Sequence, residues 1–282
     1  MTTPPWKLRY AGHLGLRSPD APLFVRSAAS ADPIDQIDYL ADLGFAGVQD
    51  LYVKLRPPEA QARIGRRLAA RGLAAGTFSA APRYWDKPLW STTDPAAIET
   101  LRRELDDAIE AADRLGGGAA VCVTALDPAR PRAAQFDAMA ANLRRLAEPA
   151  ERAGLMLLVE PVAAGFMPGF LVDRLADAAA IVRRVASPSV RLLFDIAHVQ
   201  TSEGAVLPGL GEHWDLIGAI QAADTPGRRD LGAGELDWPV LLREIRRGGF
   251  SGLIELEHEA LEDTAAGERC LLDRLRDVDA AI

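Results

Sequence analysis

The stretch "LMLLVEPVAAGFMPGFLVDRLADAAAIVRRVASPSVRLLFDIAHV", from Leu155 to Val199, decides the fold. It opens on an apolar run, "LMLLVEPV", crosses an amphipathic run, "RLADAAAIVRRV", and returns to a second apolar run, "VRLLFDIAHV". Short runs without polar alternation are what strands covered on both faces require, and the periodic stretch between them reads as a helix. Strand, crossover helix and strand in that order make a parallel βαβ unit.

The unit repeats in both directions. Upstream, "KLRYAGHLGL", "GVQDLYV", "LAAGTFSA" and "AAVCVTA" read as strands one to four. Between them stand the helices "DPIDQIDYLADLGF", "PPEAQARIGRRLAARG" closed by Gly72, and "DPAAIETLRRELDDAIEAADRLG" with Asp94 as N-cap and Pro95 at N1. A fourth helix runs from Pro131 to Gly154, bent at Pro149. Downstream, "VRLLFDIAHV" is strand six with a short or broken helix after it, "LIGAIQAAD" is strand seven, and "GLIELEHE" is strand eight. A closing helix runs from Gly267 to Ile282. Eight strand–helix units of roughly 30 residues fit a single α/β domain over residues 1–282, a (β/α)₈ TIM barrel. An open doubly wound sheet is the runner-up, but no G-x-G-x-x-G turn follows strand one.

Composition excludes several classes. With 32 basic and 40 acidic residues the net charge is −8, which disfavours nucleic acid as a partner because a duplex binder needs a basic footprint. Two cysteines, Cys122 and Cys270, cannot build a disulfide framework or a cysteine-rich zinc site. "MTTPPWKLRY" carries no apolar signal region, and no uncharged apolar stretch approaches about 20 residues, so no membrane partner is expected and the cytoplasm is the expected location. Self-association as a homo-oligomer stays open.

Barrels of this kind gather their working groups at the C-terminal ends of the strands. Four polar residues stand there, each inside an apolar run: Glu160, Asp195, Gln221 and Glu257, on strands five to eight. Glu255 and Glu259 flank Glu257 at period two, so any of the three could share that face. Three carboxylates at one point repel unless a cation neutralises them, and an all-oxygen donor set, with the Gln221 carbonyl, favours one hard divalent ion, Mg²⁺ or Mn²⁺. His198, three residues beyond Asp195, is placed to hold a substrate hydroxyl or move a proton. After strand seven, "DTPGRRDLGAGELDW" bends at Pro226-Gly227 and again at Gly232 and Gly234, which would carry Arg228 over the barrel mouth. Its planar fork suits a substrate carboxylate, with phosphate as the alternative. His258 should face the helices, and His13 either lines the site or caps the mouth.

At these residues the sequence resembles the hydroxypyruvate isomerase family, within the wider group of xylose-isomerase-like barrels. The matching pieces are "NLRRLAEPAERAGLMLLVEPV", "MPGFLVD", "FDIAHVQTSEG", "IGAIQAADTPGRRDLGAGELDW" and "GLIELEH", in order from Asn142 to about His258. The resemblance implies that Glu160, Asp195, Gln221 and Glu257 bind a divalent metal, that Glu160 and Glu257 form an acid/base pair, and that His198 and Arg228 contact substrate. The chain departs from the family's wording at Gln49, at Val162-Ala163, and after Glu257, where it reads "EHEA". The implied reaction is aldose–ketose-type isomerisation of a small hydroxy-carbonyl acid through an enediolate, in the simplest case hydroxypyruvate to tartronate semialdehyde. Ketose 3-epimerisation and 2-oxo-tetronate-type isomerisation are the alternatives, and a non-catalytic sugar-binding barrel is the more remote one.

Overall fold

A computed structural model describes residues 6–282. Nine short parallel strands form one sheet: β1 (Tyr10–His13), β2 (Gly47–Gln49), β3 (Ala74–Ala75), β4 (Thr77–Ser79), β5 (Ala119–Cys122), β6 (Met156–Val159), β7 (Val190–Asp195), β8 (Ile217–Ala222) and β9 (Ile254–Leu256). Their order is β3-β2-β1-β9-β8-β7-β6-β5-β4. The two ends of that series are one stretch of chain interrupted at Gly76, so the sheet curls into a nearly closed barrel with eight strand positions, a TIM barrel. Gly76 marks the break for a steric reason. A Cβ there would lie 2.4 Å from Glu255 Oε1, so the carboxylate reaching across from β9 takes the space a side chain would need.

The helices follow the strands as the amphipathic periods require. They are α1 (Pro33–Asp42), α2 (Pro58–Arg71), α3 (Pro95–Leu115), α4 (Arg132–Arg152), α5 (Leu175–Val185), α6 (Ile196–Glu203), α7 (Val206–Glu212), α8 (Trp238–Arg247) and α9 (Ala265–Ala280). Asp94 caps α3 by accepting the Ala96 N–H, and Gly72 ends α2 in the left-handed region at φ 68°. Pro149 lies inside α4. The main core fills the layer between helices and sheet, with Trp90, Trp238, Tyr10 and Phe194 among its largest fully buried side chains.

Two strands are shorter than their apolar runs. The run "VRLLFDIAHV" is strand only to Asp195; Ile196, Ala197 and Val199 are buried on α6, which begins because the Asp195 carboxylate caps it, accepting the His198 N–H at 2.9 Å. "GVQDLYV" pairs only over Gly47–Gln49, and Val53–Leu55 is a 3₁₀ turn. The barrel interior is divided. Val121, Leu158, Leu193 and Ala219, one from each of β5 to β8, form an apolar cluster. Gln49, Thr77, Gln221 and Glu255 make a hydrogen-bonded polar group.

Candidate active site

Strand ends deliver the side chains to the mouth. Asp195 closes β7, while Glu160 and Glu257 follow the last residues of β6 and β9. Asp195 pairs in register with Gln221, and Gln221 with Glu255, so alternate side chains of β7, β8 and β9 share the interior. Asp195 and Glu257 are buried and Glu160 is nearly so.

Arg228 is the cation that meets them. Its Nη2 donates to Asp195 Oδ2 at 2.6 Å and, more closely still, to Glu257 Oε2, while Nε donates to the Glu257 carbonyl at 3.0 Å. The loop that delivers it is organised by Asp224. That carboxylate accepts the N–H groups of Thr225, Gly232, Gly234 and Leu236 at 2.8, 3.0, 2.8 and 3.2 Å. Backbone bonds between Asp224 and Arg229 close the turn in both directions, at 2.9 and 2.8 Å. Gly234 must be glycine, since a Cβ there would come within 2.2 Å of the Thr225 carbonyl. Arg228 itself sits at φ 53°, a left-handed form that costs a non-glycine residue about 1–3 kcal/mol and persists where contacts hold it.

His198 presents a defined face. The Ala163 N–H donates to its Nδ1 at 3.0 Å, so the neutral ring carries its proton on Nε2. Nε2 lies 3.6 Å from Glu160 Oε1 and 3.1 Å from Arg228 Nη1. Burial, with Arg228 adding to it and Asp195 opposing, pushes the imidazole down to about 4, so it is neutral at pH 7. Phe166 packs edge-on against this ring, centroids 5.5 Å apart, and lies 5.9 Å beneath the Arg228 guanidinium.

The carboxylates are not equivalent. Burial, then Glu257 and Asp195, raise Glu160 well above the ordinary carboxylate range, with Arg228 opposing. Burial raises Glu257 too, but Arg228 and the Gln49 amide, whose Nε2 donates to Oε1 at 2.9 Å, resist it. Burial would raise Asp195, yet Arg228 and His198 hold it below its usual value.

Gln221 lies just beneath this ring of groups. Its Nε2 donates to Thr77 Oγ1 at 3.3 Å and Glu255 Oε2 at 3.4 Å, and its buried Oε1 has no hydrogen-bond partner among the described residues. An orphaned buried carbonyl is costly and asks for a partner. Glu160, Asp195 and His198 each offer a ligating atom within 4.8 Å of the others. Arg228 pairs with Asp195 and Glu257, and Glu160 stands beside them against His198. This donor set fits a divalent cation.

Several partners were not marked out by the sequence pattern. Gln49, Thr77 and Glu255 form the layer under Glu257, and the Gln49 amide bridges Glu255 and Glu257. Gln49 carries the same signal as Gln221, an amide at the end of an apolar run. Glu255 does share the face of Glu257, one step deeper. His258 is buried 3.7 Å from Asp230, away from the site, and His13 is buried with Nε2 3.0 Å from the His258 carbonyl.

Residues 37–276 match the family model described as Xylose isomerase-like TIM barrel. The chain belongs to the xylose isomerase-like TIM barrel family. Among its relatives in that family is the 2-oxo-tetronate isomerase of Cupriavidus necator, 31% identical, with 92% of this chain and 95% of the relative covered. The hydroxypyruvate isomerase of Escherichia coli is 29% identical, covering 62% of this chain and 68% of that protein. Among solved structures, a family 2 AP endonuclease from Brucella melitensis superposes with a TM-score of 0.76 at 22% identity, over 92% of this chain and 96% of that one, a likeness of fold. Among the described residues no helix is long and apolar enough to cross a membrane.

Proposed function

We propose that the chain isomerises a 2-oxo-3-hydroxy acid, R–CHOH–CO–COO⁻, to its 3-oxo-2-hydroxy isomer, R–CO–CHOH–COO⁻. With R as hydrogen the substrate is hydroxypyruvate and the product tartronate semialdehyde; with R as hydroxymethyl it is 2-oxo-tetronate. The observation that carries the reading is the pair Glu160 and Glu257, lining one cavity beside His198 and Arg228. The isomerase activities of the relatives named above support the reaction class.

Glu257, to which Arg228 and the Gln49 amide donate, takes the proton from C3. Glu160, lining the same cavity, returns one to C2, and the two carboxyl groups exchange protons with solvent before the next turnover. The hydroxyl proton passes from the C3 oxygen to the C2 oxygen, so substrate and product have the same composition. His198 Nε2–H donates to a substrate oxygen, and Arg228 meets the carboxylate. Glu160, Asp195, Gln221 and Glu257 would hold a divalent cation, Mg²⁺ or Mn²⁺, which would supply a Lewis acid for charge developing on the substrate oxygens. The cavity, about 210 Å³, is roomier than the three-carbon acid needs, which favours members with a larger R.

The test is chelator-treated protein incubated with hydroxypyruvate and with 2-oxo-tetronate, with and without added Mg²⁺ or Mn²⁺, and followed by NMR. The expected result is metal-restored conversion of at least one acid. No conversion of these acids or of their analogue with R as ethyl, with any divalent ion, would overturn the reading.

A further inference from the structure

The cavity has one polar cluster, and the rest of its wall is of another character. Glu160, His198, Arg228 and Glu257 stand together, linked by the contacts already described. Together with the residues beneath them they account for the carboxylate, the oxo group and the hydroxyl of a 2-oxo-3-hydroxy acid. What remains for the substituent R is lined by Leu16, Leu51, Val123, Val162, Met167 and Phe170, among other apolar groups. Trp85, stacked on Phe170 with centroids 5.8 Å apart and planes 23° apart, covers the outer part. Only two hydroxyls appear in the lining among the described residues. Tyr52 donates its proton to the Leu16 carbonyl at 2.9 Å and is left as an acceptor, so Ser79 is the one hydroxyl of the two with a free donor. A polyhydroxylated chain would leave most of its hydroxyls unpaired against this wall, and an unpaired buried hydroxyl disfavours binding.

We propose that the substituent on C3 of the substrate is apolar, an alkyl or aryl group in place of a hydroxymethyl or longer sugar chain. The proposal rests on the isomerase reading above and narrows its substrate class. The acid end is recognised by the charged cluster, while the substituent is recognised by burial of carbon against carbon. An apolar pocket of this kind discriminates only moderately, by about 10- to 100-fold, against an isostere that adds a hydroxyl.

The experiment compares three acids on the metal-loaded protein by kcat/KM: R as hydrogen, as hydroxymethyl and as ethyl. Hydroxymethyl and ethyl have the same number of non-hydrogen atoms and differ in whether the chain ends in a hydroxyl or a methyl. The expected result is an ethyl preference over hydroxymethyl of about 10- to 100-fold. Equal rates, or a preference for hydroxymethyl, would overturn the proposal and leave the isomerase reading intact. Failure to convert any of the three would remove the isomerase reading and this proposal with it.

Discussion

Glu160 and Glu257 are the same residue in one cavity, separated by what touches them. Arg228 and the Gln49 amide donate to Glu257, while Glu160 faces the His198 ring. The sequence exposes both, along with Asp195 and Gln221, because each interrupts an apolar run at a strand end. It does not expose Gln49, Thr77 and Glu255 as a supporting layer, since period-two spacing tells which face a side chain takes and not how deep it lies. Gln221 offers a test at this scale. Replacing its unpartnered carbonyl with imidazole in Gln221→His should move metal preference toward softer ions, with Co²⁺ or Zn²⁺ gaining tenfold or more over Mg²⁺ in a competition titration. An unchanged metal order would remove Gln221 from the ligand set.

At the scale of elements, the loop from Asp224 to Asp237 does the positioning. One buried carboxylate gathers four backbone N–H groups, and the turn it makes carries Arg228 to the carboxylates. Asp224→Ala should therefore loosen the loop by about 2–4 kcal/mol, given that bonds to charged acceptors contribute about 1.5–3 kcal/mol each and some are replaced by water. Amide exchange at residues 225–236 should accelerate while the barrel strands keep their protection; unchanged exchange in the loop would contradict this role. The glycines and the arginine of this loop are plain in the sequence, whereas Asp224 reads there as one more loop acid. The over-extended strand six has a similar cause. Ile196, Ala197 and Val199 are apolar because α6 buries them, and a short buried helix turn and a buried strand carry the same composition.

The whole molecule carries a pH signature from its divided interior. Glu255 is closed inside the barrel, where burial, offset in part by Thr77, pushes its carboxyl up to about 7. The folded protein therefore binds a proton there that the unfolded chain has released between pH 4.5 and about 7, and stability falls as pH rises through that window. Measured without metal, Glu255→Gln should gain about 3 kcal/mol relative to the parent chain between pH 4 and pH 8, read from urea midpoints. A constant difference across that range would mean that Glu255 is ionised throughout. The histidines act in the opposite sense. His13 and His198 are depressed to about 4 and His258 to about 3, so the stability they lend is present above pH 6.5 and is lost as the pH falls toward those values. The eight-fold repeat is legible from the sequence, but the place where the barrel closes is not. There Glu255 accepts the Thr77 N–H at 2.6 Å, a bond between residues 178 positions apart.

Proton transfer at the barrel mouth by Glu160 and Glu257 with a bound divalent ion is the central step proposed for this chain. The most direct measurement is deuterium incorporation at C3 of the preferred 2-oxo-3-hydroxy acid in D₂O, for the parent chain and for Glu257→Gln, each with Mn²⁺ and with chelator. The expected result is exchange in the parent chain only when metal is present, falling at least about 10²-fold in Glu257→Gln while its circular dichroism spectrum is unchanged. Exchange that survives either chelation or the Glu257→Gln substitution would contradict the account.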